Sequence, residues 1–463
     1  MDRLSALDAS FLLLEDRVNH MHIGSVGIFE GPRPAHDAVE AVVASKLPLV
    51  PRYRQRIRTV PLQLNWPVWV DDPHFNLNYH LRSTALPSPG GRSELRNLVG
   101  RIMSQQLDRT KPLWEMWIVE GLEDGRFAVV SRVHHCMVDG IAGTDLLAVL
   151  LDAEPRSVVT EAPPFEPADE PSALELAREA VTSLVTHPYQ QVRSMLAGSG
   201  GVQALQDGIR EFARGVVSML GLARPTPSTS LNGAIGPHRR WDWANASLGD
   251  VKEIRRALGG TVNDVVLAVI TNGFRELLLS RGEDVSDRVV RTLVPVSVRT
   301  GDARGVYDNR VSAMFAALPV GIEDPAARLA AIRAQMDGLK ESKQAVAGEI
   351  LASLSGFAPS MLLTLGTRVA ARVPQRNLNT VTTNVPGPQS PLYLCERRML
   401  EVFPFVPLIP TTRVGIAIFS YCGALNFGIT GDYDGAPDLD VLARGIEDGV
   451  AQLLKLSREQ PAS

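Results

Sequence analysis

His134-His135-Cys136-Met137-Val138-Asp139-Gly140 is the stretch of this sequence that decides the fold. The apolar run before it, Phe127–Val133, is typical of a buried strand. The residues after it, Ile141–Leu151, have an apolar spacing that predicts a helix packed against that strand. Two histidines and an aspartate therefore stand where a strand leads into a helix, a position from which side chains can face a cavity.

The two histidines suit proton transfer, because a neutral imidazole can accept a proton from an alcohol or amine near pH 7. Strand alternation puts Val133 and His135 on one face and His134 on the other, if the strand continues through the motif. One ring is then the base. Asp139 lies past a turn closed by Gly140, and could either hold the imidazole tautomer or pair with a distant arginine.

Two other interpretations of the motif remain. A histidine at the end of a strand is usually a polar residue satisfied within the core. Two histidines and a carboxylate can also form a facial triad on iron. Adjacent histidines on a strand diverge, however, and the other histidines are scattered without ligand spacing. We therefore expect no metal.

Composition narrows the class of protein. A chain of 463 residues is too long for one ordinary core, and 45% hydrophobic with 21% charged residues is typical of a globular protein. A net charge of −4 predicts no general attraction to nucleic acid or to an anionic membrane. The spacing of Cys136, Cys395 and Cys422 shows no disulfide or CxxC pattern, which favours a reducing cytoplasm. Cys136 is better explained as a small buried residue than as a nucleophile.

The beginning of the sequence has no basic start followed by a long apolar run, so we expect no secretory signal. No window reaches the ~18 uncharged apolar residues of a spanning helix. The nearest approach is Ile350–Val373, which contains the uncharged run Phe357–Leu365. A core helix and a lipid-contacting segment explain this stretch equally well.

Breaker-rich segments divide the chain into an N-terminal domain (1–185), a helical crossover linker (186–235) and a C-terminal domain (236–463). The proline-rich run Ala153–Ser172 predicts an exposed connection. Further helices and strands are predicted at Ala173–Val185, Val202–Leu222, Val262–Leu279, Val289–Val298, Val414–Ser420, Leu425–Thr430 and Leu439–Leu456.

The HHxxxDG motif resembles the active-site motif of the CoA-dependent acyltransferase superfamily, which includes the chloramphenicol acetyltransferases and nonribosomal-peptide condensation domains. Four further stretches narrow the resemblance to the bacterial wax ester synthase/diacylglycerol acyltransferase family, from residue 4 to about residue 390. They are Leu4–Leu12, Pro112-Leu113-Trp114, Asn263-Asp264 and Asn384-Val385-Pro386-Gly387-Pro388.

This resemblance implies two similar chloramphenicol-acetyltransferase-like α/β domains with a tunnel between them. It implies transfer of an acyl group from acyl-CoA, a substrate and not a cofactor, to diacylglycerol or a long-chain alcohol. We expect the enzyme to work in the cytoplasm, peripherally at a membrane or lipid droplet. A condensation-type acyltransferase and a catalytically inactive lipid-binding protein of the same fold are the alternatives.

The resemblance also suggests roles for single residues. His135 is the expected general base, since the chain has neither a GxSxG elbow nor a P-loop. His134 and Gly140 would shape the turn, and Asp139 would pair with Arg299. Asn263, with Asp264 beside it, could stabilise the oxyanion or cap the helix and tie it to the motif loop. The remaining candidates are expected to border the tunnel: Pro112, Leu113, Trp114, Asn384 and Pro386. For Pro112-Leu113-Trp114, however, the start of a strand with packed aromatics is the favoured interpretation.

Overall fold

Two six-stranded sheets organise the chain, and helices lie against each of them. A computed structural model describes residues 2–137, 149–156, 159, 164–182, 229–297, 311–341 and 378–459. Besides a helical segment over residues 173–182, the described α-helices are α1 Ala6–Leu14, α2 His36–Lys46, α3 Leu77–His80, α4 Arg92–Met103, α5 Leu248–Leu258, α6 Val262–Ser280, α7 Pro325–Glu341 and α8 Leu439–Glu459.

The strands follow the same chain order. The N-terminal half contains β1 His22–Phe29, β2 Gln55–Arg58, β3 Val68–Asp71, β4 Leu81–Ala85, β5 Trp114–Glu120 and β6 Phe127–His134. The C-terminal half contains β7 Arg239–Ser247, β8 Val290–Ser297, β9 Val311–Leu318, β10 Thr380–Val385, β11 Tyr393–Leu394, β12 Arg397–Phe405, β13 Val414–Tyr421 and β14 Ala424–Asp432.

The first sheet has the order β11-β12-β1-β6-β5-β4, which places the motif-bearing strand β6 inside it. Every residue of β6 is buried. Phe127 and Val129 pack into the core on one face, and Ala128 and Val130 pack into the core on the other. A strand covered on both faces needs a continuous apolar run, which explains why Phe127–Val133 does not alternate.

The second sheet has the order β7-β14-β13-β10-β8-β9 and combines parallel and antiparallel pairs. The long helix α6 packs against it and contributes residues such as Val265, Val269 and Phe274 to the largest hydrophobic core among the described residues. Helix α8 packs on α6, where Gly273 and Gly445 allow the two backbones to approach closely.

The sheets do not follow the chain halves. Strands β11 and β12, from the C-terminal half, form the edge of the first sheet, and β12 pairs antiparallel with β1. Helix α4 of the N-terminal half packs on β7 of the second sheet, where a Cβ at Gly100 would lie 2.7 Å from the carbonyl oxygen of Arg239. The division at 185 and 236 therefore remains a prediction about the chain, while the first sheet contains strands from both sides of it.

The α/β class with two sheet-based halves is confirmed. Several predicted elements agree with the structure to within one to three residues at each end: Phe127–Val133, Val262–Leu279, Val289–Val298, Val414–Ser420, Leu425–Thr430 and Leu439–Leu456. Three predicted segments lie wholly or mostly outside the described residues: Ile141–Leu151, Val202–Leu222 and Ile350–Val373.

Within the described ranges, none of the individual helices is long and apolar enough to cross a membrane. One pair, α5 and α6, passes the same test only when taken together, and the two helices are bent by 102° relative to each other.

Candidate active site

Strand β6 ends at His134, and a short 3-10 turn, His135–Met137, follows it. The backbone N–H of His134 donates to Leu113 O at 2.9 Å, and that of His135 donates to Met21 O at 2.8 Å. The strand ends at His134, so the condition on which the alternation of the two rings depended is not met. Their different surroundings arise from the turn.

His135 lies in a mainly apolar setting. Its ring stacks on Phe11 of α1, with centroids 3.9 Å apart and an angle of 20° between the planes. Burial, with a smaller contribution from the neighbouring His134, lowers the pKa of His135 to about 4. Within the described part of the chain, its buried Nδ1 has no hydrogen-bond partner. The ring is thus neutral near pH 7 and keeps a nitrogen that can accept a proton.

His134 has no solvent exposure, and both of its ring nitrogens face protein groups. The backbone N–H of Cys136 donates to Nδ1 at 3.1 Å. Nε2 lies 3.6 Å from Oε2 of Glu15, within ion-pair range but longer than an ordinary hydrogen bond. Because Nδ1 accepts, the proton of the neutral ring belongs on Nε2, beside the carboxylate.

Glu15, just beyond the last residue of α1, is the centre of a buried polar cluster. Its Oε1 lies 3.4 Å from Nε2 of His22, the residue directly opposite His134 across β1 and β6. Arg109 donates to Oε2 from Nε at 2.8 Å and from Nη2 at 2.5 Å. Burial alone would raise the pKa of Glu15, but His134, His22 and Arg109 outweigh it and hold that pKa well below its usual range.

Sequence reasoning missed Phe11, Glu15, His22 and Arg109. Phe11 lies within the opening motif Leu4–Leu12, and the structure shows what that motif does: α1 packs on the turn that carries His135. The pairing of His22 with His134 depends on strand register, which local sequence patterns do not reveal.

Leu113 and Trp114 are fully buried, and Trp114 is the first residue of β5. The indole Nε1–H of Trp114 donates to Tyr53 O at 2.8 Å, and its ring stacks on His80 with centroids 4.7 Å apart. These contacts agree with the start of a strand carrying packed aromatics. Contact of these residues with substrate stays a prediction.

The second group of candidates lies at the first turn of α6. Thr261 caps this helix together with Asp264: the N–H of Thr261 donates to Asp264 Oδ2 at 2.7 Å, and the N–H of Asp264 donates to Thr261 Oγ1 at 3.2 Å. Asn263 is therefore not the cap. Its Oδ1 accepts from Nδ2 of Asn384 at 3.3 Å, so the structure joins two motifs that the sequence shows separately.

Asn384 stands near the end of β10, and the turn Pro386-Gly387-Pro388 follows. The N–H of Gly387 donates to Ser420 Oγ at 3.0 Å, and a Cβ on Gly387 would lie 2.2 Å from Ser420 O. Only glycine allows this turn to approach β13 so closely. A place for Asn384 and Pro386 beside a tunnel remains a prediction.

Asp139, Gly140 and Arg299 lie outside the described residues, so the Asp139–Arg299 pair stays a prediction. Cys136 is buried, and burial raises the pKa of its thiol well above the usual range, which agrees with a packing role. Among the residues that the structure describes, no group of three or more His, Cys, Asp or Glu side chains is arranged to hold a metal ion. The absence of a metal requirement is still a prediction.

Comparison with known families adds to this geometry. Residues 4–266 match the wax ester synthase/diacylglycerol acyltransferase catalytic domain, and residues 307–454 match the C-terminal domain of the same family. The chain belongs to this family. The resemblance of the sequence motifs to the wax ester synthase/diacylglycerol acyltransferase family is thereby confirmed.

Relatives cover the chain almost completely. A Mycobacterium tuberculosis protein named as a diacylglycerol O-acyltransferase is 38% identical over 99% of this chain and 97% of its own length. The wax ester synthase/diacylglycerol acyltransferase of Marinobacter aquaeolei has a structure similar to this one, with a TM-score of 0.70 and 25% identity over 99% of this chain and 100% of that one. The first condensation domain of the calcium-dependent antibiotic synthetase, at a TM-score of 0.61 and 17% identity over 100% of this chain and 97% of that one, shares the fold.

Proposed function

We propose that this chain transfers a long-chain acyl group from acyl-CoA to the hydroxyl group of diacylglycerol, with His135 as the general base. Membership of the wax ester synthase/diacylglycerol acyltransferase family supports the reaction class. Relatives named as diacylglycerol O-acyltransferases support diacylglycerol as the acceptor.

The choice of His135 as the base rests on the different surroundings of the two adjacent rings. Both nitrogens of His134 face protein groups, Cys136 N–H on one side and the Glu15 carboxylate on the other. His135 is partly exposed, whereas His134 has no solvent exposure. Of the two adjacent rings, His135 is therefore the one that a substrate can reach.

The reaction needs no covalent enzyme intermediate. The acceptor oxygen attacks the thioester carbonyl while His135 removes the hydroxyl proton. The tetrahedral intermediate then collapses, the C–S bond breaks, and the imidazolium returns the proton to the leaving thiolate. The products are triacylglycerol and free CoA, and His135 is neutral again. Acyl-CoA is a substrate, and the scheme uses no cofactor.

The chemistry of both substrates supports a place of action at a lipid surface. Long acyl chains partition into membranes and droplets, because each buried CH₂ group contributes about 0.8 kcal/mol. We propose that the enzyme associates peripherally, from the cytoplasmic side, with a membrane or lipid droplet and draws its acceptor from there.

A competition between acceptors tests this proposal. The purified chain is given acyl-CoA labelled in the acyl group, with diacylglycerol and a long-chain alcohol at equal concentrations, and the products are separated by thin-layer chromatography. Label mainly in triacylglycerol supports the proposal. Label mainly in wax ester would make the alcohol the acceptor, and no transfer to either would contradict an acyltransferase function.

A further inference from the structure

A buried carboxylate that the proposed mechanism does not use lies beside the two histidines. The side chain of Glu15 is 1% exposed, and it approaches His134 at 3.6 Å and His22 at 3.4 Å. Arg109, with a side chain 43% exposed, closes the cluster from the side of a cavity of about 360 Å³ that both Glu15 and Arg109 line. A buried charge is costly unless it has partners, so this arrangement requires a reason.

We propose that Glu15 is a positioning residue for acyl transfer: its carboxylate, held by Arg109, keeps the ring proton of His134 on Nε2 and thereby shapes the turn that carries His135. The inference rests on the proposed role of His135. It assigns no contact between Glu15 and the substrate.

The turn itself supplies the link between the carboxylate and the base. Cys136 N–H can donate to His134 Nδ1 only when that nitrogen carries no proton. The carboxylate beside Nε2 favours this tautomer, because it attracts the N–H dipole. A proton on Nδ1 would face the N–H of Cys136, two donors would oppose each other, and the turn at His135 would open. The charge of Glu15 therefore acts on His135 indirectly, through the ring of His134.

The surroundings of Glu15 keep its carboxylate ionised. Two nitrogens of Arg109 converge on Oε2, and His22 lies beside Oε1. Burial lowers the pKa of His22 to about 3, so its ring is neutral near pH 7. Arg109 is thus the permanently charged partner of the carboxylate, in addition to its contacts with His134 and His22. Orientation of an imidazole by a buried carboxylate is a recurring device, and loss of such a partner reduces activity without removing the base.

The first experiment removes the charge of Glu15 but keeps the shape of the side chain. Glu15→Gln should lower kcat roughly 10- to 100-fold, while KM for acyl-CoA changes less than about twofold. The matched control is Asp242→Asn, which removes another buried carboxylate with two arginine partners, Arg92 at 2.8 Å and Arg96 at 2.5 Å. It should lower the melting temperature and leave kcat unchanged.

The second experiment reads the tautomer directly. In the protein labelled with ¹⁵N-histidine, the two-bond nitrogen–proton pattern of His134 should show Nε2–H in the wild type and a mixture of tautomers in Glu15→Gln. This measurement does not depend on activity, so it tests the effect of Glu15 on the His134 tautomer separately from the role of His135 as the base. A wild-type spectrum with the proton on Nδ1 would overturn the proposal.

Kinetics can also overturn it. If the folded Glu15→Gln protein keeps the wild-type kcat, Glu15 has no part in the reaction. The same conclusion holds if Glu15→Gln and Asp242→Asn lose kcat equally and in proportion to the fraction of each protein that is unfolded. If Glu15→Gln does not fold, Arg109→Gln carries the test, since it frees the carboxylate without removing it. That variant should lower kcat in the same direction.

Discussion

The ring of Phe11 lies against the ring of His135, with the centroids 3.9 Å apart and the planes within 20° of parallel. Phe11 belongs to α1, the helix whose end carries Glu15. One helix therefore contacts both histidines of the motif, by an aromatic face on His135 and by a carboxylate near His134. The apolar face lowers the pKa of the base and limits the orientations of its ring.

Phe11→Leu should reduce kcat up to about tenfold, because an aromatic pair contributes roughly 0.5–1.5 kcal/mol beyond its buried area and 1.36 kcal/mol corresponds to a factor of ten. The control is Phe29→Leu, which removes another stacked ring, that on Phe127 with centroids 5.1 Å apart, away from the motif. It should lower the melting temperature alone. Equal kcat values in the two variants would leave the Phe11 contact without a catalytic role.

His135→Ala should lose about 10²–10⁴ of the turnover while the protein stays folded, the range that general base catalysis supplies. His134→Ala should cost less turnover but more stability, since His134 makes the buried contacts of the turn. His80→Gln, a change at another buried histidine, is the control for loss of fold. Near wild-type transfer by His135→Ala would remove that residue from the mechanism.

The activity should depend on pH in an unusual way. A base works only when unprotonated, and burial lowers the pKa of His135 to about 4. We therefore expect kcat/KM to stay constant as the pH falls from about 7.5 to about 5.5, whereas a base with the usual pKa of about 6.5 would lose about 90% of its activity by then. If kcat/KM instead falls with a midpoint near the usual histidine pKa of about 6.5, the pKa of His135 is not lowered by burial.

Unfolding at acid pH limits how low the pH can be taken in that measurement, so circular dichroism must follow the fold at each pH. The pKa values of His22 and His135 are lowered by burial to about 3 and about 4, below that of an unfolded histidine. The unfolded chain therefore takes up protons first as the pH falls, and the free energy of unfolding decreases from about pH 6.5 downward. Glu15, whose pKa is lowered, acts in the same direction at the acid end.

The elements that the sequence predicts well are those with a strong local pattern. The buried run that became β6 and the helical period that became α6 are examples, and breakers mark their ends. The predicted alternation of His134 and His135 was conditional on a strand that runs through the motif, whereas β6 ends at His134 and a turn begins at His135. Pairings that depend on strand register, such as His22 with His134, have no local signal.

Sheet membership shows the same limit. Strands β11 and β12 lie in the C-terminal half of the chain, yet they join the first sheet. Strands β13 and β14, which follow directly in the chain, lie in the second sheet, and no local sequence pattern marks which sheet a strand joins. The sequence predicted which kind of chemistry the motif residues can perform. The residues that orient them were found only in the three-dimensional structure.

Asp139→Ala should both destabilise and inactivate the protein, if Asp139 pairs with Arg299 as the family resemblance implies. Removing one partner of a buried ion pair leaves the other charge uncompensated, a defect of about 3–5 kcal/mol. A double-mutant cycle with Arg299→Ala measures the pair through urea unfolding. Additive effects of the two changes would show that Arg299 is not the partner.

The lipid-contact hypothesis for Ile350–Val373 rests on the sequence, where Phe357, Met361, Leu362 and Leu365 give an uncharged apolar run. Replacing Met361 and Leu362 with aspartate should reduce liposome binding and activity on long-chain acceptors, yet spare a short soluble alcohol. The reason is that each lost CH₂ contact costs about 0.8 kcal/mol of lipid affinity, which a short alcohol does not use. Liposome co-sedimentation and acceptor-length kinetics provide the two measurements.

The control for this variant is Leu174→Asp, at a leucine that is 78% exposed elsewhere on the chain and should change neither measurement. The outcome also separates the two interpretations that the sequence leaves open. A lipid-contacting segment loses long-chain activity while the melting temperature holds. Equal loss on long and short acceptors together with unfolding would make the segment part of an ordinary core, because an aspartate pair there would be buried without partners.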